Sequence, residues 1–298
     1  SIKPIHEYDC NNDTDICAAY QQGFSMKNIA DNGSLSEWEV RKVLLENIHD
    51  SIIFIDEGNR FLVSKKFAQL VQGSDNYFVL ATREKLPALP YSVSEIYGFR
   101  KSGKFHDAKQ KYNEIYHLYG EISEEKNINP KLVITEDSNS GFEFFKEMSR
   151  QKGVNCFSAS GKSNIIRQLE QRPNEEGTIL VIVDGAAFGS EMKDISECIK
   201  TQGNIVLYAP ESFEWLLLST KEIPEVKVET ILQNPEEYID SKEYVSWERY
   251  FTDLLIESTS KNFIWAYSKK RLTKAYFAPR IVNAVKTIMK LVDWEKSF

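Results

Sequence analysis

PKLVITEDSNSGFEFF, residues 130–145, opens the stretch that decides the fold. Its apolar run, 131–135, ends on Glu136-Asp137. Three more such runs follow before residue 218, separated by helix-length amphipathic segments. Residues 153–159 end on Ser160-Gly161-Lys162-Ser163-Asn164, 178–183 on Asp184-Gly185, and 205–209 on Pro210-Glu211-Ser212-Phe213-Glu214. Short, fully apolar runs alternating with amphipathic helices indicate βαβ units and a parallel sheet covered on both faces. The carboxyl ends of such strands line one crevice, where ligands bind. Glu136, Asp184 and Glu211 or Glu214 should therefore converge. A cluster of carboxylates suits Mg²⁺ or Mn²⁺, because these hard ions take oxygen ligands. The competing reading is that each acid caps the helix after its strand.

LVITEDSNSGFEFF (132–145), ILVIVDGAAFG (179–189) and ESFEWLLL (211–218) stand in the order of three motifs. Together they resemble the Toprim fold of topoisomerases, primases and the OLD (overcoming lysogenization defect) nucleases. The resemblance implies that Glu136 is a general acid/base, that Asp184 ligates metal, and that Glu214 fills the glutamate position of a Ser-hydrophobic-Glu motif. The chain departs from the family's Asp-x-Asp, because residue 186 is Ala186. The resemblance covers about 90 residues.

A second signal lies upstream. Residues 51–55 form an apolar strand followed by Asp56-Glu57, the Walker B pattern of P-loop ATPases. There the aspartate holds Mg²⁺ through water and the glutamate polarises the attacking water. Residues 76–81 form another apolar strand, and Thr82 and Arg83 stand at its tip, where such ATPases carry a γ-phosphate sensor. Ser34-Leu35-Ser36-Glu37 faintly resembles an ABC-type signature loop without its glycine. An ATPase strand pair followed by a Toprim-like region resembles the OLD arrangement and implies a phage or mobile-element conflict setting. No Gly-x-x-x-x-Gly-Lys-Ser/Thr precedes Asp56. The only Gly-Lys-Ser is Gly161-Lys162-Ser163, with Cys156 where the first glycine would stand. We expect the Walker A loop, and with it ATP, to come from a missing N-terminal segment or a partner ATPase chain. Gly161, Lys162 and Ser163 follow a strand and open a helix over 165–171. They read either as a phosphate-binding helix N-terminus or as a plain cap.

The tail changes character. Amphipathic helices are expected over 244–256 and 278–292. Between them Phe263, Trp265, Tyr267, Tyr276 and Phe277 interleave with Lys269, Lys270, Arg271 and Lys274. From residue 261 nine Lys/Arg face two acids, in a chain of net charge −7. Basic residues among aromatics suit backbone contacts plus base stacking on DNA or RNA. An ordinary helical cap with core aromatics and solvated lysines accounts for the same pattern. Between the two regions, residues 107–119 show helical spacing of Tyr112, Ile115, Tyr116 and Tyr119.

At 298 residues, 42% hydrophobic and 27% charged, the chain is long enough for two cored domains. It has no run of 18 apolar residues and no signal-peptide pattern. Four scattered cysteines fit a reducing, cytoplasmic setting without membrane contact. The expected architecture is α/β, with parallel sheets and flanking helices. Residues 1–128 form a partial P-loop ATPase-like lobe, and 129–298 a Toprim-like domain with a helical C-terminal extension. The expected function is Mg²⁺-dependent nuclease action, with a catalytically decayed nucleic-acid- or nucleotide-binding subunit as the alternative.

Overall fold

The computed structural model describes residues 3–56, 61–101, 113–123, 128–173, 175–224, 226–239 and 242–290. The chain divides into two compact units, Ser1–Leu89 and Pro90–Phe298. The division precedes the expected boundary at residue 128 because Val93 and Tyr119, described residues ahead of that boundary, are tied to the second sheet. Val93 packs with Ile134 and Phe188. The Tyr119 hydroxyl accepts from Ala209 N at 2.8 Å.

The first unit begins with three helices: α1 (Asp13–Gln21), α2 (Met26–Gly33) and α3 (Glu37–Asn47). Each starts on a side-chain cap. Asn12 accepts from Asp15 N, Ser25 from Asn28 N, and Ser36 with Glu39 forms a reciprocal capping box. The 34–37 stretch is therefore the joint between two helices, with Ser34 left-handed at the end of α2 and Ser36 spent on capping α3. Ile16, Ile29, Val40 and Leu44 make the core beneath. Then β1 (Ile52–Asp56), α4 (Lys65–Gly73) and β2 (Tyr77–Ala81) form a parallel βαβ unit in which Asp56 pairs with Ala81. Phe67 of α4 is fully buried against Phe61 and Phe78.

The second unit opens with an antiparallel pair, β3 (Tyr97–Lys101) and β4 (Asn113–His117), followed by α5 (Leu118–Ile122). This corrects the helix expected over 107–119. Residues 113–117 are strand, only 118–122 are helical, and 107–112 lie outside the described residues. Cross-strand pairing overrides the local spacing. Tyr116 lies across Gly98, where any Cβ would meet its ring at 2.3 Å, and the Arg100 guanidinium stacks on that ring and pairs with Glu114 and Glu121.

The main sheet comprises β5 (Pro130–Thr135), β6 (Asn155–Ser158), β7 (Thr178–Ile182) and β8 (Ile205–Tyr208). Their order is β6-β5-β7-β8, all parallel. The helices between them are α6 (Ser140–Arg150), α7 (Lys162–Glu170) and α8 (Met192–Gln202), with α9 (Phe213–Ser219) after the last strand. Successive strand residues point to opposite faces. Val133, Leu180 and Ile182 pack with Phe144 of α6 and Leu216 of α9. Ile134, Val181 and Leu207 pack with Ile165 of α7 and Ile195 of α8. After α10 (Glu229–Gln233) come α11 (Trp247–Thr259) and α12 (Pro279–Ile288), the last helices among the described residues. Phe251, Trp265, Tyr267, Tyr276 and Val285 complete the core on the α6/α9 face. The tail aromatics are therefore mostly core, apart from Phe263, which is 95% exposed. Among the described residues no helix is long and apolar enough to cross a membrane.

Candidate functional site: the carboxylate edge of the main sheet

Because all four main strands are parallel, their carboxyl ends share one edge. Backbone bonds hold the loops there. Glu136 N donates to Ile182 O at 2.9 Å, Gly161 N to Glu136 O at 2.8 Å, and Gly185 N to Pro210 O at 2.6 Å. Gly185 is required, since a Cβ would stand 2.6 Å from Ala209 O.

Three of the expected acids meet at this edge. Glu136 Oε2 accepts from Asp184 N at 3.2 Å. Asp184 Oδ1 accepts from Phe213 N at 3.0 Å, so this acid also caps α9. Glu214, 1% exposed, accepts from the Tyr267 hydroxyl at 2.6 Å, and that hydroxyl lies 2.7 Å from Ser140 Oγ. Asp137 joins them while capping α6, its two oxygens accepting from Phe142 N and Asn139 N.

Burial and crowding set the proton affinities. Desolvation pushes Glu136 up to about 7, with the Glu248 and Asp137 charges adding to it and Lys162 opposing. Asp184 is raised well above the carboxylate range, first by burial and then by Glu248, Glu136 and Glu214. Burial likewise raises Glu214 against the pull of Lys269 and Tyr267. Crowded, desolvated carboxylates resist simultaneous ionisation.

Two participants are not expected here from sequence, which gives Glu248 no role and offers Lys269 to nucleic acid. Glu248 stands in the first turn of α11, where an acid ordinarily complements the helix dipole. Lys269 pairs with it at the edge. Burial works against the Lys269 ammonium, yet Glu248 and Glu214 hold it above its ordinary value. Lys269 is thus committed to the acidic cluster rather than offered to a phosphate backbone. Ser140 N donates to Lys269 O at 2.9 Å, which fixes the tail against the start of α6.

The remaining candidates take other positions or partners. Glu211 accepts from Ser92 and Ser94 hydroxyls, and burial with the neighbouring Glu95 raises its proton affinity. Lys162 Nζ donates to Ala187 O at 2.8 Å, so its ammonium turns inward from the α7 N-terminus. Gly161 takes φ 123°, and Ser163 is exposed in the first turn of α7. Ala186 is 5% exposed, and its amide donates to Glu211 O. In the first unit Asp56 and Thr82 stand at the carboxyl ends of paired strands. Thr82 Oγ1 accepts from Glu84 N at 3.0 Å. Arg83 is exposed, and Glu57 lies outside the described residues. Lys270, Arg271 and Lys274 are exposed.

The donor set at the edge is hard oxygen throughout, and its crowded carboxylates would be relieved by a divalent cation. Glu136 Oε1 and Asp184 Oδ2 take no protein hydrogen bond among the described residues. A cavity of about 20 Å³ lies between Glu136, Asp137, Gly141 and Asp184, room for one water-sized body. As the side chains stand, no group of three or more His, Cys, Asp or Glu among the described residues is arranged around a metal position. Lys269 is the cation in the cluster. Comparison of the chain with protein-family models, with curated proteins and with solved structures yields no match.

Proposed function

We propose that the chain is a Mg²⁺- or Mn²⁺-dependent phosphodiesterase acting on nucleic acid, with the carboxylate edge as its active centre. The observation that carries this reading is Glu136. Its carboxyl, pushed up to about 7, stands beside Asp184 where parallel strands end, and Glu214 acts on Asp184 in turn. A group titrating near neutrality both gives and takes a proton at working pH, as a general acid/base must. Asp184 and Glu214 would hold the cation, with Glu136 beside it as the acid/base. When bound, it orients a phosphodiester and neutralises charge developing on its oxygens. Lys162, whose ammonium favours the ionised form of Glu136, tunes the proton affinity of that carboxyl.

ATPase control belongs to the same reading. Asp56 and Thr82 lie on paired strands as Walker B and sensor positions do. Parallel sheets are ordinarily covered on both faces. The β1–β2 pair nevertheless leaves Ile52, Phe54 and Tyr77 64%, 74% and 66% exposed. A segment or partner chain bearing the P-loop would cover that face and supply the cradle for ATP.

The Lys269–Glu248 pair favours a second reading, a binding subunit whose catalytic centre has decayed. An ammonium among carboxylates does electrostatically what a metal ion would do. The test is cleavage of end-labelled DNA and RNA, single- and double-stranded, with Mg²⁺ or Mn²⁺. The expected result is cation-dependent cleavage, abolished by chelation and in Glu136→Gln. Binding without cleavage under every condition would leave the second reading standing.

A further inference from the structure

A groove of about 730 Å³ runs along α6 in the second unit, between that helix and the chain at 270–277. It starts at Ser138 and Asn139, directly after the Glu136-Asp137 pair of the carboxylate edge. Its size lies within the roughly 300–1,000 Å³ of ligand clefts.

The charges along it are unequal in kind. Four cations line it against two carboxylates, Glu143 and Glu147. Both carboxylates are already committed. Glu143 accepts from Leu272 N at 2.9 Å, and Glu147 pairs with Arg150, which draws its carboxyl down to about 2. Lys146, Lys270 and Arg271 form no ion pair among the described residues, and all three are exposed. Three uncommitted cations thus flank one groove in a chain of net charge −7. Half-buried Phe142 and Phe277 supply apolar walls, and the Lys146 ammonium lies 5.2 Å from the Phe142 ring centre. A cationic groove with aromatic walls suits a flexible chain of phosphates carrying flat bases, because stacking on a ring tolerates any base.

We propose that this groove seats a single-stranded segment of nucleic acid. Its phosphates would pair with Lys146, Lys270 and Arg271, and its bases would lie against Phe142 and Phe277. The proposal rests on the phosphodiesterase reading for what happens next, since Ser138 at the start of the groove directly follows Asp137 of the carboxylate edge. It also separates the tail cations. Lys269 serves the carboxylate edge, while Lys270 and Arg271 serve the strand.

Binding tests this apart from cleavage. Glu136→Gln protein in chelator is titrated with a fluorescent single strand at several salt concentrations. Lys146→Ala/Lys270→Ala/Arg271→Ala is compared with Lys193→Ala/Lys200→Ala/Lys221→Ala, which removes the same charge from exposed positions outside the groove. Each phosphate neutralised on a single strand contributes about −0.7 to the slope of log K against log salt. The groove variant should therefore flatten the slope by about 2 and bind several fold more weakly, with no change in base preference. The control variant should keep the parent slope. An unchanged slope in the groove variant, or equal losses in both, overturns the proposal. So does duplex binding as tight as single-strand binding, or displacement of the strand by poly-glutamate of equal charge, which would mark an acidic protein as the occupant. If the groove variant behaves as expected while wild-type protein cuts nothing, the groove stands and the phosphodiesterase reading falls.

Discussion

Glu136 keeps a proton in the folded chain that the unfolded chain releases near 4.5, because burial pushes its carboxyl up to about 7. Between those values the folded state binds more protons than the unfolded state, so stability falls as pH rises through this window. One extra proton corresponds to about 1.4 kcal/mol per pH unit. Glu136→Gln should therefore reduce the slope of unfolding free energy between pH 5 and 6.5 by about that amount. Asp184, Glu214 and Asp137, raised in the same direction, keep part of it. Urea unfolding across that range checks this, and an unchanged slope would mean that Glu136 is solvated. Tyr267 offers a second test. Tyr267→Phe leaves Glu214 buried without its hydroxyl donor, a loss of about 1–3 kcal/mol. An exposed Glu214 would lose nothing. At this scale Glu136 and Asp184 were legible because each directly follows an apolar run, whereas the run before 210 left Glu211 and Glu214 as alternatives. Glu248 and Lys269 were not legible, since distant segments carry them and only the folding of the tail over α6 and α9 delivers them.

The turn after β7 shows how an element holds an acid in place. Gly185 N donates to Pro210 O and Ala186 N to Glu211 O, so the backbone of this loop is bonded directly to the loop after β8. A Cβ at 185 would collide with the Ala209 and Pro210 carbonyls. Gly185→Ala should cost about 1–3 kcal/mol, the usual range for forcing an atom into packed space. It should also shift Asp184, which thermal unfolding and loss of cleavage would report together. A variant with the parent's stability would show that the two loops part easily. The four main strands could be read from sequence because their β-rich apolar runs are bounded by polar turns. Residues 113–117 could not. Ile115 is 61% exposed there, and spacing alone does not distinguish an exposed strand from a helix face. Pairing with Tyr97–Lys101, the preceding strand, decides the matter.

In the whole molecule, the candidate residues are divided between two compact units. The first carries Asp56 and Thr82 on its βαβ unit, and the second the carboxylate edge. The chain has no Walker A sequence ahead of Asp56. Phosphates of ATP need that backbone cradle and its lysine, so this chain by itself should not hydrolyse ATP. Phosphate release above background that is lost in Asp56→Asn would place a phosphate loop in a stretch of different sequence. The two apolar strands at 52–56 and 77–81 were legible, whereas the exposed apolar face of β1 and β2 emerges only once Phe67 is seen to bury the opposite side. The most direct measurement concerns the carboxylate edge. In Mn²⁺ titrations followed by calorimetry, the wild-type chain should take up the ion at pH 8 and release protons as it does so. Uptake should weaken markedly at pH 5, where the raised carboxyls are protonated, and disappear in Asp184→Asn. Absence of uptake at pH 8, or identical uptake by Asp184→Asn, would contradict a metal-dependent centre at this edge.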